Sequence, residues 1–183
     1  MSIATASTAT PAVDVTADER TQRLERAEQA WGERLAADPA NGRLVVAAAG
    51  TAQGSVATRV RAGRHEWLID EPAALAGDDA GTSPVEAALG ALLACQTVVY
   101  RLYAQRLGLT IDSLELRAEG DLDVRGLFGA DDVRPGLAGI EIVVDIDGPH
   151  EAEQFDELRR VVDAHCPVHD LFSNPTPVTS RLA

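Results

Sequence analysis

One stretch constrains the fold more than any other: SPVEAALGALLACQTVVYRLYAQRLG, from Ser83 to Gly108. Ser83 suits an N-cap, because its hydroxyl can accept a hydrogen bond from an otherwise unpaired N–H of the first turn. Pro84 follows at the first helical position, where a missing N–H costs nothing, and Glu86 stands three residues after the cap to complete a capping box. Gly108 is placed to stop the helix. A helix from Pro84 to about Leu107 would be ~36 Å long at ~1.5 Å per residue. From Val85 to Val99 only Glu86, Gln96 and Thr97 are polar. A helix apolar nearly all round is buried on most faces. A domain of 183 residues has few such places. A dimer that shares the helix between subunits has more.

The elements around it follow from pattern. RLVVAAAG (Arg43–Gly50) and SVATRVRA (Ser55–Ala62) read as two strands flanking a TAQG turn, and HEWLID (His65–Asp70) as a third. In the second, Val56, Thr58 and Val60 share one face, while Ala57, Arg59 and Arg61 share the other, because side chains alternate. EPAALAGDDAGT is a loop rich in Gly, Asp and Pro. Beyond the long helix, Thr110–Val124 alternates through Ile111, Leu114, Leu116 and Ala118, and Leu137–Asp147 reads as a further strand. RGLFGADDVRPG between them is a loop. His150–Cys166 is an amphipathic helix through Phe155, Leu158, Val161 and Val162, ended by Pro167, and TPVTSRL closes as a short strand. The order β-β-β-α-β-β-α-β, with mostly antiparallel pairing, is an α+β fold.

Ahead of this domain (43–183), residues 16–42 form a helical arm. Thr16 can cap it, Asp18 and Glu19 suit its start, and Leu24, Ala27, Trp31 and Leu35 make one narrow apolar stripe, as on a helix that docks on something. DPANG ends it. Residues 1–15 read as a disordered tail. They have no basic n-region or apolar h-region, so no signal peptide is expected, and no arginine precedes Arg20, which argues against a transit peptide. A cytoplasmic location is the default expectation.

Charge excludes some partners. A formal net charge of −13 repels phosphate backbones, so no nucleic acid is expected. No apolar run approaches the ~20 residues needed to span a bilayer, so no membrane is expected either. With aromatics at 4 %, the core should be mostly Leu, Val, Ile and Ala.

The chain has two cysteines, Cys95 in the long helix and Cys166 in HCPVH. Where thiols are kept reduced, two cysteines point to chemistry or burial more than to a permanent disulfide. Cys95 lies about eleven residues into its helix, too far for the macrodipole, which acts within the first turn. Apolar burial would raise its pKa and leave an inert core thiol. A cation beside it would overturn that. Lowering the pKa by ~2–3 units takes ~3–4 kcal/mol, about what one arginine at ~4 Å supplies at an effective dielectric of ~20. Arg59 and Arg61 are available, or are simply charges on a solvated edge strand. Arg101 is more than a turn away and faces outward. Glu86 either completes the cap or holds an arginine over the thiol. Cys166, near a helix C-terminus, gets no dipole activation and suits a partner that attacks an oxidised sulfur. Cys166 and His169 have the spacing of half a zinc site, but no second pair exists, and no phosphate loop, Ser-His-Asp set or dinucleotide fingerprint stands out. No metal or cofactor is expected.

From Arg43 to Leu182 the chain resembles the OsmC/Ohr family, the osmotically inducible and organic hydroperoxide resistance proteins, in its broader OsmC-like branch. The resemblance rests on DEPAALAGDDAGTSPVEAALGALLAC, then GDLDVRGLFG and VRPGLAGI, then CPV and NPTPV, in that order. It implies an intertwined homodimer with curved antiparallel sheets around long buried central helices. It implies a thiol peroxidase of the oxidative stress response acting on organic hydroperoxides, with Cys95 as peroxidatic and Cys166 as resolving cysteine. A dithiol of the lipoyl type would be the reductant. An arginine of the N-terminal strands, Arg59 first and Arg61 second, would keep the thiolate charged, paired with Glu86. In the best-known peroxidases that glutamate directly follows the proline, where this chain has Val85. Two other readings remain open: a binding module whose apolar pocket holds a hydrophobic small molecule, and a redox sensor that uses the same cysteine pair without turnover.

Overall fold

The structure, a computed structural model, describes residues 15–182. All but the last residue of the expected tail, 1–15, lies outside them. The chain divides into two units, residues 1–44 and 45–183.

The first unit is helix α1 (Ala17–Ala37) and a 3-10 turn, Pro39–Gly42. Thr16 caps α1 by accepting from the Glu19 N–H at 3.2 Å. Asp38 closes it and caps the turn, accepting from the Ala40 N–H at 2.8 Å. The Arg34 guanidinium lies 4.7 Å over the Trp31 ring. No residue of α1 is buried.

The second unit opens with strands β1 (Ala49–Gln53), β2 (Ala57–Ala62) and β3 (His65–Ile69), paired antiparallel in that order. The expected first strand is displaced. Residues 43–48 have no regular structure, and Val45 and Val46 are almost wholly exposed because no strand lies opposite them. The turn falls at Gly54, whose φ of +54° favours glycine, so Thr51–Gln53 stay in the strand. After β3, the Asp70 N–H donates to the Thr82 carbonyl at 3.2 Å, which ties the sheet's end to the start of the long helix.

That helix, α2, spans Pro84–Arg106 with the capping box formed. In the single chain it is not buried on most faces. Leu92, Gln96, Val99, Tyr100 and Ala104 are buried, while Gly90, Ala91, Ala94 and Val98 are exposed. By length and composition alone α2 is apolar enough to cross a membrane, against the expectation that no run comes near that length. Its buried side chains nevertheless face a protein core. Strands β4 (Ser113–Gly120) and β5 (Ile140–Asp147) pair antiparallel, with Leu114 opposite Ile146, Leu116 opposite Val144 and Ala118 opposite Ile142. These positions form the inner face, and α2 packs on β4. The connection between the strands carries a short helix, α3 (Val124–Leu127), where a plain loop was expected.

Helix α4 (Ala152–His165) lays Leu158 and Val162, both fully buried, against α2. Pro167 does not simply end it. Pro167 opens another helix, α5 (Pro167–Ser173), which also packs on α2. The expected closing strand does not form: residues 175–182 are irregular and exposed. The fold is α+β with antiparallel sheets, as expected.

Candidate active site

Cys95 and Cys166 meet. Val99, Tyr100 and Ala104 of α2 pack with Leu158 and Val162 of α4 in one core cluster that includes Cys166 at 1 % exposure, and half-buried Cys95 lies against it. Both thiols are free, and Cys95 is close enough to Cys166 to perturb its titration. A polar cross-link between the same helices helps set their rotation: the buried Gln96 side-chain amide donates through Nε2 to Asp163 Oδ1 at 3.2 Å. Gln96 follows Cys95, and Asp163 lies one turn before Cys166. Sequence reasoning missed both. Their signal was a lone glutamine on an otherwise apolar helix face.

The environment of Cys166 differs from the expectation. It ends α4, yet it is also the N-cap of α5, and its Sγ accepts from the His169 N–H at 3.5 Å. Burial pushes the Cys166 thiol above its ordinary pKa. The neighbouring Cys95 acts in the same direction, while the N–H groups of His169 and Val168 oppose it. Burial wins.

The arginines are elsewhere. Arg59 and Arg61 are exposed on β2, and the Arg59 guanidinium donates to Gln53 Oε1 at 3.2 Å across the hairpin. Neither is hydrogen-bonded to a thiol. Glu86 is occupied as a cap. Its carboxylate accepts from the Ser83 hydroxyl at 2.7 Å, the Ser83 N–H at 3.0 Å and the Thr82 hydroxyl at 3.3 Å. The Ser83 bonds hold it below its usual pKa. Nine residues of helix, about 13 Å, separate it from Cys95. Arg101 does not face outward as expected: it is half-buried and donates to the Ile111 carbonyl at 3.1 Å. Among the described residues no three His, Cys, Asp or Glu side chains converge as metal ligands.

A pocket of about 390 Å³ is lined by residues of α2, β5, α5 and the β4–β5 connection, with neither cysteine among them. Leu92, three residues before Cys95, and His169, whose N–H reaches Cys166, line one part of it. Leu137, Ile140 and Ile142 line another, and Arg134 lies there too. Arg134 was not singled out from the sequence, because nothing in VRPG distinguishes it from a solvated loop cation.

The sequence profile of the OsmC-like protein family matches residues 77–181 of the chain. No curated protein sequence matches it. Solved structures share the fold. An OsmC-like protein from Mycoplasma pneumoniae is 21 % identical with a TM-score of 0.62, over 70 % of this chain and 87 % of that one. An organic hydroperoxide resistance protein OsmC from Legionella pneumophila is 16 % identical, TM-score 0.56, over 71 % and 90 %. The organic hydroperoxide resistance protein OhrB of Bacillus subtilis is 19 % identical, TM-score 0.51, over 71 % and 91 %.

Proposed function

The chain belongs to the OsmC-like protein family, and from that premise we propose that it is a cysteine-based peroxidase that reduces organic hydroperoxides to alcohols. The observation that carries this reading is the meeting of two free thiols at one core cluster, one from α2 and one from the α4–α5 junction. Cys95, half-buried where Cys166 is buried, is the sulfur a substrate can reach. Its lone pair attacks the terminal oxygen of the hydroperoxide, the O–O bond breaks, and Cys95 becomes a sulfenic acid. The alkoxide takes up a proton and leaves as the alcohol. Cys166 then attacks the Cys95 sulfur, water leaves, and a disulfide joins the two. A dithiol of the lipoyl type restores both thiols by exchange and is itself oxidised.

In this reading the protein is a cytoplasmic homodimer. The exposed face of α2 (Ala91, Ala94, Val98) and the uncovered Leu44–Val46 segment support the dimer, since apolar surface of this kind ordinarily marks an interface. The activating cation is Arg59, with Arg61 as the alternative, delivered by dimer formation because neither is bonded to a thiol of its own chain. Glu86 would have to leave its cap to steer that arginine.

The test follows free thiols in reduced protein after addition of cumene hydroperoxide. Wild type is expected to lose both thiols far faster than a free cysteine. Cys95→Ser should lose none, and Cys166→Ser should stop at a trappable sulfenic acid. Wild-type thiols that react no faster than free cysteine would sink the peroxidase. They would favour the binding module, which the 390 Å³ pocket and the raised pKa of Cys166 support.

A further inference from the structure

A further cleft, of about 260 Å³, is lined by residues of α2, β5 and α4. Val144, Ile146 and Phe155 give it apolar walls, Tyr100 lines it as well, and Asp156 and Arg159 stand beside them. We propose that this cleft binds a neutral small molecule with an apolar body and one carbonyl, which accepts a hydrogen bond from the Tyr100 hydroxyl. Neither cysteine lines the cleft, and the proposal stands apart from the peroxidase reading.

Three observations carry it. First, Tyr100 is 1 % exposed, and its hydroxyl has no hydrogen-bond partner among the described residues. Buried polar groups in native folds are paired, so an orphan of this kind calls for an occupant. Burial, and after it the Asp163 charge, push the phenol above its ordinary pKa, while Arg159 opposes them and Asp156 adds to them. The phenol therefore keeps its proton and is available as a donor. Two of the charges that act on it, Asp156 and Arg159, line the cleft, so the hydroxyl is the end of Tyr100 that faces it. Second, the carboxylates nearby are already engaged. Asp156 Oδ1 accepts from Arg159 Nη2 and Oδ2 from Arg160 Nη2, both at 2.9 Å. Asp163 Oδ2 accepts from Arg159 Nη1 at 3.0 Å, and Oδ1 from Gln96 Nε2 at 3.2 Å. The phenol has to find its acceptor outside the chain. The Arg159 guanidinium is already held by two carboxylates, so an anion gains no uncompensated cation here and a neutral molecule is favoured. Third, the space suits a ring. An engineered apolar cavity of about 150 Å³ takes up benzene, and this cleft is larger, at about 260 Å³. One wall is fixed: the Phe155 ring meets His150 edge-on, with centroids 5.9 Å apart. Apolar walls with one placed polar group are the ordinary make-up of a small-molecule site.

The test is a titration of the full chain, followed by amide NMR, with acetophenone, toluene and benzoate. Acetophenone supplies a ring and a carbonyl, toluene the ring alone, and benzoate a ring with a charge. Acetophenone should move the amides of Val144, Ile146 and Phe155. It should bind about fivefold to tenfold tighter than toluene or benzoate, the factor that one added hydrogen bond gives. Tyr100→Phe keeps the ring and removes the donor, so it should erase that advantage and leave toluene binding unchanged. Without any ligand, Tyr100→Phe should melt no lower than wild type, since it deletes a hydroxyl that has no partner. Acetophenone that binds no better than toluene, keeps its advantage in Tyr100→Phe, or moves only amides elsewhere overturns the proposal. So does a Tyr100→Phe melting temperature several degrees below wild type, which would mean that the hydroxyl is already satisfied by a bound water or a side chain.

Discussion

Three times among the described residues a capping side chain is followed at once by proline: Asp38–Pro39, Ser83–Pro84 and Cys166–Pro167. In each case the preceding side chain accepts an N–H of the new turn and the proline fixes φ where no hydrogen is needed. Glu86 completes the middle instance, and its charge makes that cap sensitive to acid. Its carboxyl is held below the usual range by Ser83, so its stabilisation is present above the unfolded value of about 4.3 and is lost as pH falls through the folded value. Glutamine can close the same box without a charge. Glu86→Gln is therefore expected to keep α2 intact and to give a shallower acid flank when thermal unfolding is followed from about pH 7 to pH 3. An unchanged flank would mean that Glu86 is not coupled to folding. The Ser83 cap was legible because serine is a familiar cap residue, whereas DPANG was read only as the end of α1. The third was read as a stop, because cysteine rarely caps and a proline after a helix usually ends it. That single misreading concealed α5 and placed Cys166 in the wrong electrostatic setting.

Among the elements, α2 and α4 matter most, because their mutual rotation decides whether the thiols meet. Leu158 and Val162 supply the area, and Gln96–Asp163 supplies direction. Asp163 also accepts from Arg159 at 3.0 Å on its own helix. Asp163→Ala strands the buried Gln96 amide, and an unpaired buried donor costs about 1–3 kcal/mol. Urea unfolding should show that loss, and Asp163→Asn, which still offers a carbonyl, should recover part of it. A loss under about 0.5 kcal/mol would mean that apolar packing alone sets the rotation. The periodicity of both helices and the alternation of β4 and β5 were visible in the sequence, because one buried face imposes them. The 43–50 and closing strands were misjudged for the opposite reason. Their residues suit strands, but nothing in the single chain pairs with them, and strand formation depends on a neighbour that sequence spacing does not reveal.

For the whole molecule the uncovered face of α2 carries the clearest expectation. Val98 is 56 % exposed on a helix whose other face is core. Sedimentation should find the wild type dimeric, and Val98→Asp, which sets a charge against that face, should be monomeric yet folded. A monomeric wild type would remove the dimer, and with it the delivery of Arg59. Arg134 and the pocket belong to this scale also, since β5, α5 and the α3 connection build it jointly, and no one segment announces it.

The meeting of Cys95 and Cys166 has a mechanical side. They lie far apart along the chain, and a bond between them closes a loop of about seventy residues. Loop-closure entropy removed from the unfolded chain corresponds to about 4 kcal/mol for a loop of that length. The oxidised protein is therefore expected to melt several degrees above the reduced one, and scanning calorimetry on the two forms would measure the gap. Equal melting temperatures would mean that the bond strains the folded state as much as it restricts the unfolded one. With that gap, the chain becomes its own gauge: the heat it withstands reports how recently it was last reduced.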